Sequence, residues 1–214
     1  HFSVEGVLAY TGLLFVPSMA PFDLYDPQRR HGVKLYVKRV FITDQLDELV
    51  PRYLRFVTGV IDSEDLQLNV SRETLQKDIV VTKMRQAVTR RVLDELERIA
   101  KQHQEGAADA PDYDQFWSQF GSVLKEGLYE DQENRERLLQ LARFRSTKTD
   151  GWVSLADYVA RMKEGQEAIL TISGDNLDSL KSSPQLEQAR AKDVEVLLLT
   201  DAIDDFWLPM AGTF

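Results

Sequence analysis

The chain has 214 residues and a formal net charge of -9, with 43% hydrophobic and 29% charged residues. This composition is typical of a soluble globular protein, and the negative charge argues against non-specific nucleic-acid binding, which needs a basic face. Because cysteine is absent, disulfides and thiolate metal sites are excluded. No apolar run reaches membrane-spanning length and the first residues do not form a signal peptide, so we expect no membrane partner.

The chain enters a β-strand pattern within its first residues. Residues 4–16 are rich in β-branched, aromatic and leucine side chains, which predicts one strand or a pair of short ones. Pro17 ends this pattern, and residues 18–30 are predicted to form a loop. Because the chain starts with His1 rather than methionine, we expect it to be cut from a larger protein.

A second strand is predicted over residues 33–42. Its period-two alternation places four apolar side chains on one face, namely Val33, Leu35, Val37 and Phe41. Apolar residues also occupy the other face near the end, which favours a strand covered on both sides in a layered α/β domain. Thr43 and Asp44 can cap a short helix reaching about Phe56, bent or split by Pro51. A third strand is predicted over residues 57–61.

A long helix is predicted from about Thr74 to Gln104. Its apolar residues keep helical spacing: Leu75, Ile79, Met84, Val88, Val92, Leu96 and Ile99. The lysines and arginines on the same segment are interpreted as a solvated face.

The second half of the chain predicts a helical connector followed by alternating elements. After a small-residue linker at 105–111, helices are predicted near 112–125 and 134–144, and then a polar loop at 145–151. Beyond that loop, helices near 154–162, 175–192 and from 202 alternate with strands at 168–172 and 194–199, and Pro184 is expected to split the middle helix. Such alternation predicts parallel strand pairing. We therefore predict an α/β fold of two layered α-β-α units, residues 1–101 and 149–214, joined by a helical connector at 102–148.

The stretch Asp65–Gln76 (DLQLNVSRETLQ) lies between the third strand and the long helix. Ser71 is a candidate N-cap, and Glu73 would lie in the first helical turn. Arg72 gains nothing from the helix dipole there, but it is well placed to meet an anion such as a phosphate. The alternative is a solvated arginine, or one paired with Asp65.

No complete catalytic motif is present in the sequence. It contains no G-x-G-x-x-G, Walker or G-x-S-x-G pattern, and its three histidines lie far from any candidate nucleophile. The acidic run at 62–65 lacks the glycine and the spacing of a calcium loop, so no metal ligands are predicted. Nothing here carries out a complete reaction alone.

Six stretches, in order, resemble the heat-shock protein 90 family of ATP-driven molecular chaperones. They are HFSVEG (1–6), APFDL (20–24), KLYVKRVFI (34–42), VIDSEDLQLNVSRE (60–73), DYVARM (157–162) and EVLLLTD (195–201). The match runs from the first residue almost to the last, and it is to the middle segment of bacterial members. The family's nucleotide pocket and its main dimerisation domain lie outside this segment.

The resemblance implies a catalytic role for the loop at 65–76. In this family the arginine of the S-R-E triplet, here Arg72, contacts the ATP γ-phosphate in trans. Gln76 is the second polar member, and Asn69 matches an asparagine that supports the loop. The resemblance implies ATP and Mg²⁺ as cofactors of the full-length protein, held by the N-terminal domain, with no cofactor in this segment.

The resemblance also implies partners and a location. They are the N-terminal nucleotide-binding and C-terminal dimerisation domains of the same protein, client proteins, co-chaperones and a full-length homodimer, all in the cytoplasm. Candidate client-binding residues are Phe206, Trp207 and Met210, beside Leu208. The alternative for these residues is a helix packed back on its own sheet.

Three functions of different classes follow. The first is a chaperone middle segment, inactive alone, that supplies Arg72 and binds clients. The second is an autonomous enzyme, for which the sequence offers no convergent polar set. The third is a non-catalytic interaction module, which an Arg72→Ala variant of the full-length protein would distinguish from the first.

Overall fold

The structure is a computed structural model that describes residues 1–4, 9–26, 29, 32–44, 48–66 and 79–211. It has the predicted α/β class, with two sheets and helices in both halves of the chain. The chain divides into two units, His1–Lys101 and Gln102–Phe214. Within the described ranges, no helix is long and apolar enough to cross a membrane. The further separation of residues 102–148 from 149–214 stays a prediction.

Unit 1 is built on a five-stranded sheet. Its strands are β1 (Phe2–Val4), β2 (Tyr10–Phe15), β3 (Gly32–Val37), β4 (Val40–Thr43) and β5 (Thr58–Ser63). The strand order is β1-β2-β5-β3-β4, in which β3 and β5 are parallel and the other neighbours antiparallel. Of the one strand or pair of short strands predicted over residues 4–16, the described part contains one strand, β2, because β1 starts before that range and meets it only at Val4.

The single strand predicted over residues 33–42 is wrong, because the chain turns back between β3 and β4. Val33, Leu35 and Val37 are buried on one face as predicted, but Phe41 is 51% exposed on the next strand. The turn residues Lys38 and Arg39 have φ angles of 49° and 67°. Left-handed residues of this kind are usually Gly, Asn or Asp, so the sequence carried no turn signal.

The helix predicted from Thr43 to Phe56 is also wrong over its described part. Thr43 pairs with Leu35 in the sheet, and the helical element is a single 3₁₀ turn, Arg52–Leu54, that starts after Pro51. Proline lacks the N–H that a longer helix would need at that point.

Helix α1 (Ile79–Gln104) carries the predicted apolar stripe. Met84, Val88, Val92 and Leu96 are buried. Ile79 is 72% exposed, so the buried stripe begins at Val81. The predicted start of this helix near Thr74 falls outside the described residues.

Unit 2 combines one long helix and several short ones with a four-stranded sheet. Its helices are α2 (Tyr113–Glu130), α3 (Arg135–Leu141), α4 (Leu155–Ala160), α5 (Leu177–Lys181), α6 (Glu187–Ala191) and α7 (Asp204–Trp207). Its strands are β6 (Arg143–Ser146), β7 (Val153–Ser154), β8 (Thr171–Ser173) and β9 (Leu197–Leu199), in the order β7-β6-β9-β8. A 3₁₀ turn, Pro184–Leu186, separates α5 from α6, which confirms the predicted split at Pro184.

Strand β6 was not predicted, because its sequence is polar. Phe144 and Ser146 are each only 1% exposed, while Arg143 and Arg145 point the other way and lie over the rings of Tyr113 and Trp152. The two arginines and the serine left only one apolar residue in this strand, so its alternation of buried and outward residues could not be seen in the sequence. β6 is antiparallel to β7 and β9. The strands predicted at 168–172 and 194–199 correspond to β8 and β9, and their predicted parallel pairing is confirmed.

Candidate functional site

The predicted catalytic residues Asn69, Arg72 and Gln76 lie outside the described residues, which resume at Ile79 after Leu66. Their contacts therefore stay predictions. The structure does describe the segment that leads to them, residues 62–66 at the carboxyl end of β5. We call these five residues the loop base.

One side of the loop base is fastened to the start of β2. The backbone N–H of Glu64 donates to the carbonyl of Ala9 at 3.0 Å, and the N–H of Ala9 donates to the carboxylate of Asp65. The N–H of Leu66 lies 3.4 Å from the hydroxyl of Ser63, and the Leu66 side chain is 3% exposed. A buried leucine and paired polar groups hold this stretch against the sheet.

The other side of the loop base is fastened to the β3–β4 turn. The N–H of Lys38 donates to the carbonyl of Ser63 at 3.0 Å, and the N–H of Arg39 donates to the carboxylate of Asp62 at 3.1 Å. Because both neighbouring strands hold it, the loop base fixes the point at which the chain enters the segment that contains Arg72.

Tyr10 lies beside the loop base, as the register partner of Ser63. Its ring is 4% exposed and makes an edge-to-face contact with Phe2 at 6.1 Å. Among the described residues its hydroxyl has no hydrogen-bond partner. Burial raises the pKa of Tyr10, although the positive charge of Arg90 opposes this shift. The hydroxyl therefore stays protonated well into the alkaline range.

A groove of about 600 Å³ lies between the β1–β2 strands and α1. Its lining is mixed, and its apolar residues include Phe2, Leu14 and Val92. On its rim, Arg98 donates to Glu95 at 3.0 Å, and this bond lowers the pKa of Glu95. Among the described residues that line this groove, none is a predicted site residue.

The predicted client-binding residues separate into one buried and two exposed side chains. Trp207 is 4% exposed and packs on Phe144 with ring centroids 6.0 Å apart. Phe206 is 60% exposed and meets the half-exposed ring of Tyr129 edge-to-face at 6.2 Å. Met210 is 38% exposed. Trp207 thus belongs to the core of unit 2, while Phe206 and Met210 present apolar surface to solvent.

A buried ionic network holds α7 against α2. The ammonium group of Lys125 donates to both carboxylate oxygens of Asp204, at 2.7 and 2.8 Å, and lies 2.6 Å from Asp201. Asp204 also accepts a hydrogen bond from the indole N–H of Trp207 at 2.8 Å. The side chains of Lys125 and Asp204 are 4% and 0% exposed. Because every member is paired, the network ties the segment that carries Phe206 to one place on α2.

Sequence reasoning missed both Lys125 and Asp204. Lys125 ended the predicted helix at 112–125, whereas α2 continues to Glu130 and buries Leu124, Lys125 and Leu128. The available signal was the helical spacing of Lys125 from Gly121 and Leu128, because a lysine on the buried face of a helix needs a buried acidic partner.

The chain is similar to the middle domain of a heat shock protein from Plasmodium falciparum, with a TM-score of 0.76 and 34% sequence identity over 98% of this chain and 79% of that one. The class of protein defined by the two units is therefore a heat-shock-protein middle domain. A family profile described as Hsp90 protein matches residues 1–214. The chain belongs to the Hsp90 family, which confirms the resemblance seen in its motifs.

Two similar curated proteins are bacterial chaperones. The chain is 58% identical over its whole length to the chaperone protein HtpG of Paramagnetospirillum magneticum. It is 55% identical over 97% of its length to the HtpG of Roseobacter denitrificans. The chain covers 33% and 32% of these two proteins, so it spans about a third of the length of the curated relatives it matches.

Proposed function

We propose that this chain is the middle segment of an ATP-dependent molecular chaperone. The observation that supports this proposal is that the chain is 58% identical, along its whole length, to a chaperone protein. Its fold is also similar to that of a heat-shock-protein middle domain. In this proposal the segment has two tasks: it supplies an arginine to a separate nucleotide-binding domain, and it binds client proteins.

Arg72 is the residue proposed to contact the γ-phosphate of ATP in trans. ATP with Mg²⁺, held by the N-terminal domain, supplies the transferable phosphoryl group. A guanidinium is planar and permanently charged, so Arg72 can neutralise charge that develops on that group. Gln76 and Asn69 are proposed as polar support for the same loop. The paired loop base supports this role, because a positioned cation requires a fixed point of attachment.

The test measures ATP hydrolysis by the full-length protein and its Arg72→Ala variant. We expect turnover to fall by about a thousandfold, the scale for a lost phosphate-contacting arginine, with ATP binding unchanged. The control is Lys83→Ala, which removes an exposed cation on α1 and should leave turnover unaltered. Mixing this chain with the separate N-terminal domain should stimulate hydrolysis, and Arg72→Ala should abolish the stimulation.

The competing function is a non-catalytic protein-interaction module. It predicts that full-length Arg72→Ala hydrolyses ATP at the normal rate, since the arginine would then contact no phosphate. Hydrolysis by this chain alone would contradict both functions.

The proposed client surface consists of Phe206, Tyr129 and Met210. Exposed aromatic and methionine side chains suit the apolar segments that incompletely folded proteins expose. The buried Trp207 acts in this proposal as an anchor and makes no direct contact with clients. The full-length Phe206→Ala variant should suppress the aggregation of a destabilised test protein less effectively than the parent. Phe22→Ala is the matched control, because Phe22 is a fully exposed phenylalanine in unit 1.

Several further features belong to the same proposal and stay predictions. They are a cytoplasmic location, a homodimer formed through the C-terminal domain, and the binding of co-chaperones.

A further inference from the structure

Strand β8 leaves one edge of the unit 2 sheet unpaired. It is the last strand in the order β7-β6-β9-β8 and runs parallel to β9. The carbonyl of Leu170 accepts from Leu197 at 2.9 Å, and the N–H of Gly174 donates to Leu199 at 3.1 Å. Because backbone groups alternate in direction along a strand, these bonds fix which residues face β9 and which face away.

Thr171 and Ser173 are the two residues that face away from β9. Each presents one N–H donor and one carbonyl acceptor to the free edge. Within the described part of the chain, these outward groups have no hydrogen-bond partner. Ser173 is exposed and Thr171 is half-buried, so the edge is accessible. An edge of this kind is a template for pairing with another chain.

A groove of about 350 Å³ reaches this edge at Thr171, and its lining is mixed, with Gln185, Gln188 and Lys192 beside apolar side chains. Ile172 on β8 and Leu186, Ala189 and Val196 are among the residues that line it. All four of these apolar residues belong to, or pack on, the small core around Leu180. The groove is therefore a depression in an ordered surface, and it is large enough to accept apolar side chains from a strand placed against β8.

We propose that the β8 edge binds an extended, alternately apolar polypeptide segment, which adds a fifth strand to the unit 2 sheet. The edge supplies backbone hydrogen bonds, which do not depend on sequence, and the groove favours an apolar residue at every second position. The proposal deepens the client-binding part of the proposed function, on which it rests for the identity of the partner. Such segments are what incompletely folded proteins expose.

This site differs from the Phe206 surface in its chemistry. The Phe206 surface offers side chains only, so it does not select a backbone conformation. The β8 edge selects an extended conformation, because its donors and acceptors recur at every second residue. Only three residues of β8 pair with β9, so the added strand makes few hydrogen bonds and binding is weak and readily reversed.

The test uses a soluble peptide that alternates valine with threonine, and the Thr171→Pro variant of this chain. Proline at position 171 removes the outward N–H without removing a hydrogen bond to β9, and proline is tolerated on edge strands. We expect Thr171→Pro to weaken peptide binding at least about tenfold. Thr171→Val keeps the N–H and should bind like the parent. Peptide binding should also slow hydrogen exchange at the amides of Thr171 and Ser173.

A second arm uses the unaltered chain, so it does not depend on the folding of a variant. Methylating the peptide's backbone nitrogens on its pairing edge should abolish binding, whereas methylating those on the opposite edge should not. Equal binding of both methylated peptides, undiminished binding by a folded Thr171→Pro chain, or no binding to the parent chain would each overturn the proposal. If Phe206→Ala abolishes peptide binding while Thr171→Pro does not, the edge proposal fails and the Phe206 client surface stands.

Discussion

Replacing Lys125 with methionine should destabilise unit 2 far more than the loss of an exposed lysine. The substitution keeps an unbranched side chain but removes the ammonium group that both oxygens of Asp204 bond. Asp204 is fully buried, so bulk water cannot replace the lost partner. Removing one partner of a buried ion pair costs about 3–5 kcal/mol. Asp204 keeps the N–H donors of Trp207 and Asp201, so we expect the lower end, about 3 kcal/mol.

The assay is urea unfolding of this chain, followed by far-ultraviolet circular dichroism. The matched control is Lys163→Met, which breaks an ion pair to Asp193 whose side chains are 50% and 64% exposed. That change should cost less than about 1 kcal/mol. In thermal unfolding, the Lys125 variant should melt about 6–12 °C lower than the parent, given the chain's size.

Two results would refute this reasoning. One is an equal loss of stability from Lys125→Met and Lys163→Met. The other concerns the double variant Lys125→Met with Asp204→Asn, in which the uncompensated buried charge is gone while Trp207 keeps an acceptor. This variant should be more stable than Lys125→Met alone, and a further loss of stability would show that the unpaired carboxylate is not the cause.

Three further predictions concern backbone strain, a helix cap and the pH dependence of stability. Gly59 has a φ of 145°, and a Cβ there would lie 2.0 Å from the carbonyl oxygen of Leu13. Gly59→Ala should therefore lower the free energy of unfolding, measured with urea, by about 3 kcal/mol. Gly151→Ala is the control: a Cβ there meets open space, so the free energy of unfolding should change by less than about 0.5 kcal/mol. Ser154 and Asp157 form a capping box at the start of α4, so Ser154→Ala should cost about 1 kcal/mol in the same assay. Burial alone would raise the pKa of Asp157, but the hydrogen bonds from Ser154 reverse this and lower it. The stabilisation that Asp157 contributes is therefore fully present above the ordinary carboxyl pKa, and it is lost as the pH falls through the lowered pKa of Asp157 in the folded chain. An Asp157→Asn chain should consequently lose less stability than the parent on acidification, measured by urea unfolding at each pH.

The parts of the fold that depend on local periodicity were predictable. The stripe on α1, the buried face of β3 and the break at Pro184 each follow from spacing or from proline chemistry within a few residues. The β3–β4 turn was not predictable, since Lys38 and Arg39 adopt left-handed conformations that their side chains do not favour. Strand β6 was hidden by its two outward arginines, whose ring contacts exist only in the folded chain.

The candidate sites also have parts that could be predicted from the sequence and parts that could not. The motif that contains Arg72 could be read from the sequence. The hydrogen bonds that fasten the loop base to β2 and to the β3–β4 turn could not, because they join residues more than twenty positions apart. The separation of Phe206 from Trp207 depends on Asp204 and Lys125, which meet across 79 positions of sequence. Short-range pattern therefore identifies the residue types of a site, and long-range packing decides which of them face solvent.

The division of the chain at Lys101 has a spectroscopic consequence. All three tryptophans, at positions 117, 152 and 207, belong to unit 2, and unit 1 has none. Intrinsic tryptophan fluorescence therefore reports the unfolding of unit 2 alone, while circular dichroism also records the 26-residue helix α1. If the two signals change at the same denaturant concentration, the units unfold together, and if they separate, the difference between the two curves measures the stability of unit 1 without any added label.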